Sequence, residues 1–458
     1  MARILIAAND VVAARMAGPG IRCVELGTQL ATAGHDVTIL GIDAPVDAFR
    51  GLSLVPPVSD SELAHLVQSY DVVLLEGLAL VRYPSLGTAA IPLVVDLYDP
   101  FPLALIEQDA QGSEGDRDRE AQRILSAFIN LLRHGDFFIC ASERQRDLWM
   151  GSLLAVGRIN PSTWDEDNTL RRLIDVVPFG ISDVEAPIHT VSHREQIHAG
   201  LSEQDTVLLW AGGIYNWFDP LTLIRAVGRL VPDHPNLKLL FMSTTHPHPG
   251  VPGRMWMPRQ ARTLARDLGL DGTNVIFNDS WVPYAERGSW LAAADCGVST
   301  HFAHLETRYA FRTRILDYFW AGLPMICSDG DYFADLVRER QLGWVVAPED
   351  GLALTNAIRQ LVEGGAELER IRNRIRSVAR SMTWTAVAEP LRRYCSQVSK
   401  AADWSPDRPD LQGVAQAPRT ARAALQLGRK GIKRMKEDGP RSAFRQGLLW
   451  WRGRGPRT

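Results

Sequence analysis

Five charged residues crowd the stretch from 306 to 317: Glu306, Arg308, Arg312, Arg314 and Asp317. They lead into a helical pattern whose apolar face is Ile315, Tyr318, Phe319 and Gly322, and Gly322-Leu323-Pro324 stops that helix. Met325 to Cys327 then read as a short apolar strand, with Ser328-Asp329-Gly330-Asp331 as a turn. A helix start presents N–H groups without partners, and arginines beside it make a seat for a phosphate or diphosphate. Carboxylates in the same place suit sugar hydroxyls, which need acceptors. A charged helix start with solvated arginines explains the pattern equally well, and these residues alone favour neither reading.

The stretch Glu306–Asp331 resembles the C-terminal-domain signature of glycogen-synthase-like retaining glycosyltransferases of the GT-B fold, the family 4 type. That signature is E-x7-E, then A-x-x-x-G-x-P and a hydrophobic pair. Gly322, Pro324 and Met325-Ile326 match it, and Asp317 falls at the second glutamate. Tyr309 stands at the first, so the nearest carboxylate, Glu306, is taken as its stand-in, and Arg312 replaces the usual small residue. The resemblance runs from about residue 3 to 395. It implies an α/β chain of two Rossmann-like domains with the active site in the cleft between them. It also implies transfer of a sugar from a nucleotide-diphosphate sugar to an acceptor hydroxyl, with retention of anomeric configuration. In that scheme Arg312 and Arg314 serve the diphosphate, Asp317 the ribose, and Glu306 the sugar hydroxyls. The departing phosphate takes the acceptor's proton on the same face.

The remaining candidates lie at the ends of strands. Arg3–Ala8 reads as a buried strand followed by a loop with Gly18-Pro19-Gly20, then a helix ending at Gly34. Pro92–Val95 is a later strand, and Asp96-Leu97-Tyr98-Asp99-Pro100 follows it, where open α/β sheets place ligands. Asp96 and Asp99 could orient an acceptor hydroxyl or support positive charge at an anomeric carbon. An Asp-built turn before Pro100 is the alternative. The resemblance adds four expectations. The loop of Gly18 and Gly20 faces the donor diphosphate and its sugar. Tyr98 and Asp99 stand where relatives often carry a histidine touching that sugar. Gly212 and Gly213, after the strand Val207–Trp210, form the second diphosphate loop, here without the expected arginine and lysine. Trp281 and Val282 fall where such enzymes line the nucleobase pocket.

The elements that must hold these residues suit two globular domains, each with its own core, in a chain of 458 residues. We place an acceptor-side domain at 1–190, a nucleotide-sugar domain at 200–385, a crossing helix at 386–400, and a linker with a basic amphipathic tail at 401–458. Residues 108–120 read as a polar loop near an acceptor, and 182–205 as a solvated linker with His189, His193 and His198. Apolar content of 46% and charged content of 22% are ordinary for a soluble protein. The cysteines Cys23, Cys140, Cys296, Cys327 and Cys395 are scattered through apolar segments, as expected of reduced core residues in a cytoplasmic protein. MARILIAAND reads as a first strand and not as a signal peptide.

The net charge of −3 conceals an uneven distribution. From residue 401 on there are 13 basic and 5 acidic side chains, a surplus of eight. Twelve of those cations fall within 419–458, interleaved with Leu448, Leu449, Trp450 and Trp451 among others. Such a tail suits an anionic membrane surface, placing the protein on the inner face of the cell membrane. Disorder is the alternative, and no nucleic-acid module is recognisable. The acceptor is expected to be a glycan, a lipid-linked molecule or a small molecule, in cell-surface polysaccharide or glycoconjugate synthesis. No cofactor and no metal are expected, since Asp165-x-Asp167 and Asp329-x-Asp331 are three-residue matches common by chance. A nucleotide-sugar epimerase of the same fold and a catalytically silent nucleotide-sugar binder remain as other readings.

Overall fold

A computed structural model describes residues 1–13, 16–42, 51–76, 79–108, 114–185, 188–244 and 255–405. Met1–Trp404 form one compact unit built on two parallel sheets. The first sheet holds β1 (Arg3–Val11), β2 (Asp36–Ile42), β3 (Ser53–Val55), β4 (Val72–Glu76), β5 (Leu93–Asp96), β6 (Phe137–Cys140) and β7 (Ile174–Val176). Its order is β3-β2-β1-β4-β5-β6-β7. The second holds β8 (Thr206–Trp210), β9 (Leu237–Phe241), β10 (Val275–Phe277), β11 (Cys296–Ser299), β12 (Met325–Ser328) and β13 (Gly343–Val346). Its order is β10-β9-β8-β11-β12-β13. These are two Rossmann-like lobes, as the sequence implied.

Central strands are short and apolar on both faces because helices cover both, which β4 (VVLLE) and β8 (TVLLW) show most clearly. Strand order reverses between β1 and β4 in one sheet and between β8 and β11 in the other. Crevices for ligands open at such points, beyond the strands' carboxyl ends. The helix Gly18–Thr32 follows β1, the loop 211–219 follows β8, and the helices Leu305–Tyr309 and Thr313–Ala321 follow β11.

Several local expectations are corrected. Gly18-Pro19-Gly20 is the first turn of a helix and not a loop, because Pro suits the opening positions, where its missing N–H is not needed. A Cβ on Gly20 would stand 2.2 Å from the Val11 carbonyl oxygen, so glycine lets this turn lie against β1. Residues 114–120 belong to the helix Glu114–His134, while 109–113 lie outside the described residues. The linker 182–205 is anchored, not solvated throughout: Arg194 is fully buried and bonds the Ala293 carbonyl and the Asp295 carboxylate, which His189 also meets. The chain stays pinned past residue 401, since Asp403 pairs with the buried Arg158 through Nε at 2.8 Å and Nη2 at 3.1 Å. The tail 419–458 lies outside the described residues.

The terminal helices return to the first lobe. Ile181 and Thr383 form a parallel bridge, Trp384 is fully buried against Phe179 at 4.7 Å, and Tyr394 stacks on Phe137 at 4.6 Å. One continuous core therefore holds side chains from both sheets and these helices.

Gly297 of β11 lies beneath the ring of Tyr318, whose atoms are 2.3 to 2.5 Å from where a Cβ would sit. The Tyr318 hydroxyl accepts the Ala211 N–H and lies 2.9 Å from the Leu209 and Val298 carbonyls. Tyr318 thus ties the helix Thr313–Ala321 to β8 and β11. Gly297→Ala should cost about 1–3 kcal/mol of overpacking, read as a lower urea midpoint, by forcing this helix off the sheet.

Candidate functional site

The site is built where the two lobes' carboxyl edges meet. In the first lobe, β5 ends at Asp96, whose carboxylate takes Arg22 Nε at 2.5 Å and Nη2 at 3.0 Å. Arg22 is fully buried, donates also to the Val177 and Pro178 carbonyls, and lies 4.8 Å from the Tyr98 ring centroid. Asp96 is therefore a buried anchor for the segment after β5, with no free oxygen for an acceptor. The fourth residue of that segment, Asp99, keeps an accessible face, and the surrounding protein still removes much of its water. Its carboxyl is pushed up to about 7, chiefly by this desolvation and then by Glu306 and Asp96, with Arg312 opposing. Tyr98 is buried, and its hydroxyl lies close to Gly18. Asp10, near the end of β1, caps the Gly18 helix by accepting the Gly20 N–H at 3.2 Å.

In the second lobe, His304 caps the short helix Leu305–Tyr309 through Nδ1, and Glu306 lies in its first turn. Glu306 and Arg312 form a two-bond ion pair, Nη1 to Oε1 at 3.0 Å and Nη2 to Oε2 at 2.6 Å. The two residues are 3% and 6% exposed, so the pair is a buried unit. Arg312 is therefore not solvated, whereas Arg308 is exposed. The pairing joins two residues to which the resemblance assigned separate tasks, sugar hydroxyls for Glu306 and diphosphate for Arg312. Arg314 is likewise buried, with its guanidinium 4.4 Å from the Trp210 ring centroid and 4.1 Å from that of Phe218. It donates to the Gly213 carbonyl at 2.7 Å. Burial pulls its pKa down to about 10, with Tyr318 opposing and Arg312 adding repulsion, so it remains a cation at neutral pH.

Arg314 thus reaches the Gly212–Gly213 loop from the facing helix and supports it. Gly212 has φ +98°, a left-handed conformation that favours glycine. Burial raises the pKa of Tyr215 on the same loop, with Arg314 opposing and Asp10 and Asp99 adding to the rise.

Asp317 is one turn further along its helix. Its Oδ1 accepts Arg287 Nε at 2.8 Å, and its side chain is 25% exposed. Burial raises its pKa, opposed by Arg287 and Arg314. Val282 is core, and Trp281 beside it is partly buried. Both Asp-x-Asp matches serve local structure: Asp167 accepts the Thr169 and Arg172 N–H groups, and Asp331 caps the helix Tyr332–Arg340. Among the described residues no group of three His, Cys, Asp or Glu is set to hold a metal.

Sequence reading overlooked Arg22, Asp10, Gln145, Tyr215 and Arg287. Asp10 had a signal, a carboxylate near a strand's carboxyl end. Arg22 had a weaker one, an arginine beside the apolar stripe of its helix. Gln145 had none, because its partners lie 47 and 164 residues away.

Residues 205–364 match the family described as glycosyl transferases group 1. Two curated D-inositol 3-phosphate glycosyltransferases are similar. That of Nocardioides sp. (strain ATCC BAA-499 / JS614) is 28% identical over 193 residues, 41% of each chain. That of Acidothermus cellulolyticus is 25% identical over 227 residues, 48% of this chain and 49% of that one. The matches therefore span under half the length of these relatives. Sucrose-phosphate synthase from Thermosynechococcus elongatus superimposes with TM-score 0.63 at 16% identity, covering 87% of this chain and 99% of that one. Anabaena Alr3699/HepE in complex with UDP-glucose does so with TM-score 0.63 at 15% identity, covering 87% and 100%. Identities this low establish the fold, the GT-B arrangement of two Rossmann-like domains. The resemblance seen at residues 306–331 thus agrees with both the family match and the fold.

Proposed function

We propose that this chain, a GT-B protein whose second lobe matches glycosyl transferases group 1, is a glycosyltransferase. Its donor is a nucleotide-diphosphate sugar, and its acceptor a hydroxyl of a glycan, a lipid-linked molecule or a small molecule. Transfer proceeds with retention and without a metal, in cell-surface polysaccharide or glycoconjugate synthesis, with the basic tail 419–458 resting on an anionic membrane. The observation that carries the reading is Asp99 of the first lobe set against the Glu306–Arg312 pair of the second, at the carboxyl edges of both sheets.

In this scheme the donor lies along the second lobe. The Gly212–Gly213 backbone faces the diphosphate, with Arg314 behind it supplying positive charge, and Arg312 shares its charge between Glu306 and the leaving group. Asp99 receives the acceptor hydroxyl, and Asp317 takes the ribose through the oxygen that Arg287 leaves open. The protein's task is positioning and stabilisation of growing negative charge, since the leaving phosphate itself can accept the proton.

Incubation with a panel of nucleotide sugars tests the reading: donor consumption with glycoside formation is expected, and a panel left intact with every acceptor class refutes it. One observation favours a silent binder instead, namely that Arg312 and Arg314 are both engaged internally. Nucleotide binding without turnover would select that reading, and an altered donor sugar would select an epimerase. Asp317→Ala is expected to weaken nucleotide diphosphate binding by about 1.5–3 kcal/mol per lost bond. Calorimetry with UDP, GDP, dTDP and CDP checks this, and unchanged affinity removes Asp317 from the site.

A further inference from the structure

We propose that Gln145 is a positioning residue that registers the Asp99 segment of the first lobe against the Glu306–Arg312 pair of the second. The inference rests on the glycosyl-transfer reading for its kinetic consequence and on geometry for the contact itself.

Gln145 lies in the first turn of the helix Glu143–Ala155, which Ser142 caps by accepting the Gln145 N–H. Its side chain is fully buried and bonded at both ends. Oε1 accepts the Ala141 N–H at 2.8 Å, just beyond β6. Nε2 donates to the Tyr98 carbonyl at 2.7 Å and to the Tyr309 carbonyl at 2.8 Å. The two amide hydrogens therefore go to different lobes. Tyr98 adjoins Asp99, and Tyr309 closes the short helix that carries Glu306, three residues before Arg312. The neighbouring Arg144 also crosses between lobes, to the Gly330 carbonyl and to Asp335.

No other uncharged side chain of this reach supplies two donors and one acceptor on a single planar group. Glutamate would keep the bond to Ala141 and set a carboxylate against two carbonyls, while asparagine is one methylene too short. The arrangement also acts in one direction. If the lobes part, the Tyr98 bond stays with the first lobe and only the Tyr309 bond breaks. The Asp99 segment thus keeps its own shape and loses its register to Glu306 and Arg312. A register error at reacting groups lowers turnover while leaving the donor's seat in the second lobe intact.

Gln145→Ala and Gln145→Glu in the full-length protein test this. Each is expected to lower kcat about 10²-fold with the donor KM changed less than about twofold. A second readout does not depend on activity. Amide hydrogen exchange over 97–100 and 305–312, with UDP, GDP, dTDP or CDP present, should quicken in both variants while β1 and β8 stay protected. Arg144→Ala, on a partly exposed side chain, should quicken exchange over 305–312 without unfolding, and it serves if Gln145→Ala fails to fold. Native exchange in that segment in Gln145→Glu and Arg144→Ala overturns the proposal, as does a lower melting temperature with unchanged kcat. If the unaltered protein consumes no nucleotide sugar, the glycosyl-transfer reading fails, and the exchange comparison still decides the contact.

Discussion

Glu306→Ala and Arg312→Ala should each lower stability by about 3–5 kcal/mol, because each leaves its partner's charge buried and uncompensated. The pair is nearly sealed from water, and Arg312 also lies 4.9 Å from the Phe218 ring centroid. Loss of turnover in either single variant would therefore say little about chemistry. The double substitution Glu306→Met with Arg312→Met separates the two effects. A buried ion pair replaced by apolar groups of similar volume is often neutral or stabilising, so the double variant should recover most of the loss. It should not recover turnover, because the charge across from Asp99 is gone. Denaturant midpoints and donor consumption on the three proteins check this. A double variant that is both stable and active would reduce the pair to scaffolding.

The second large effect is expected at Asp99. Turnover should fall about 10²-fold or more in Asp99→Asn above pH 8, where a carboxylate orients the acceptor hydroxyl and an amide does not. In the unaltered protein, turnover should rise with pH through about 7, the value to which desolvation, Glu306 and Asp96 push this carboxyl. The variant should lack that limb. Stability moves the other way. An aspartate in the unfolded chain titrates at about 3.9, and the folded group holds its proton up to about 7. Its contribution is then fully present below about pH 4 and is lost as pH rises through 7. Urea midpoints should fall between pH 5 and pH 8 more in the unaltered protein than in Asp99→Asn. A turnover limb near 7 that survives in the variant would assign it to another group.

The tail 419–458 poses an independent question, since its charge and its tryptophans are properties of sequence alone. Among the described residues no helix is long and apolar enough to cross a membrane.

Local pattern was sufficient wherever one element's own residues carry the signal. The apolar runs of β4, β8 and β12, the helix stop at Gly322 with φ +65°, and the buried reduced cysteines could all be read without coordinates. Two parallel sheets follow from strands alternating with helices, and the switch points then say where polar residues at strand ends must gather. That reasoning singled out Asp96 and Asp99 as candidates, while the cluster from Glu306 to Asp317 stood out as a charged helix start and Gly212 through the family resemblance.

What a polar residue does once gathered depends on its neighbours in space, and periodicity carries no record of those. Asp96 and Asp99 are equally polar and three residues apart, yet Arg22, 74 positions earlier, takes one of them fully and leaves the other facing the second lobe. Glu306 and Arg312 looked like two ligand groups and fold into one ion pair, because Arg312 lies where the short helix ends and turns back toward its own first turn. Gln145 is unremarked in sequence and touches both lobes in the structure. Sequence determined which elements form and at which edge of each sheet the chemistry collects. Tertiary packing decided which charges neutralise one another and which remain for a ligand, because burial makes every unpaired charge costly and so forces partners to be chosen.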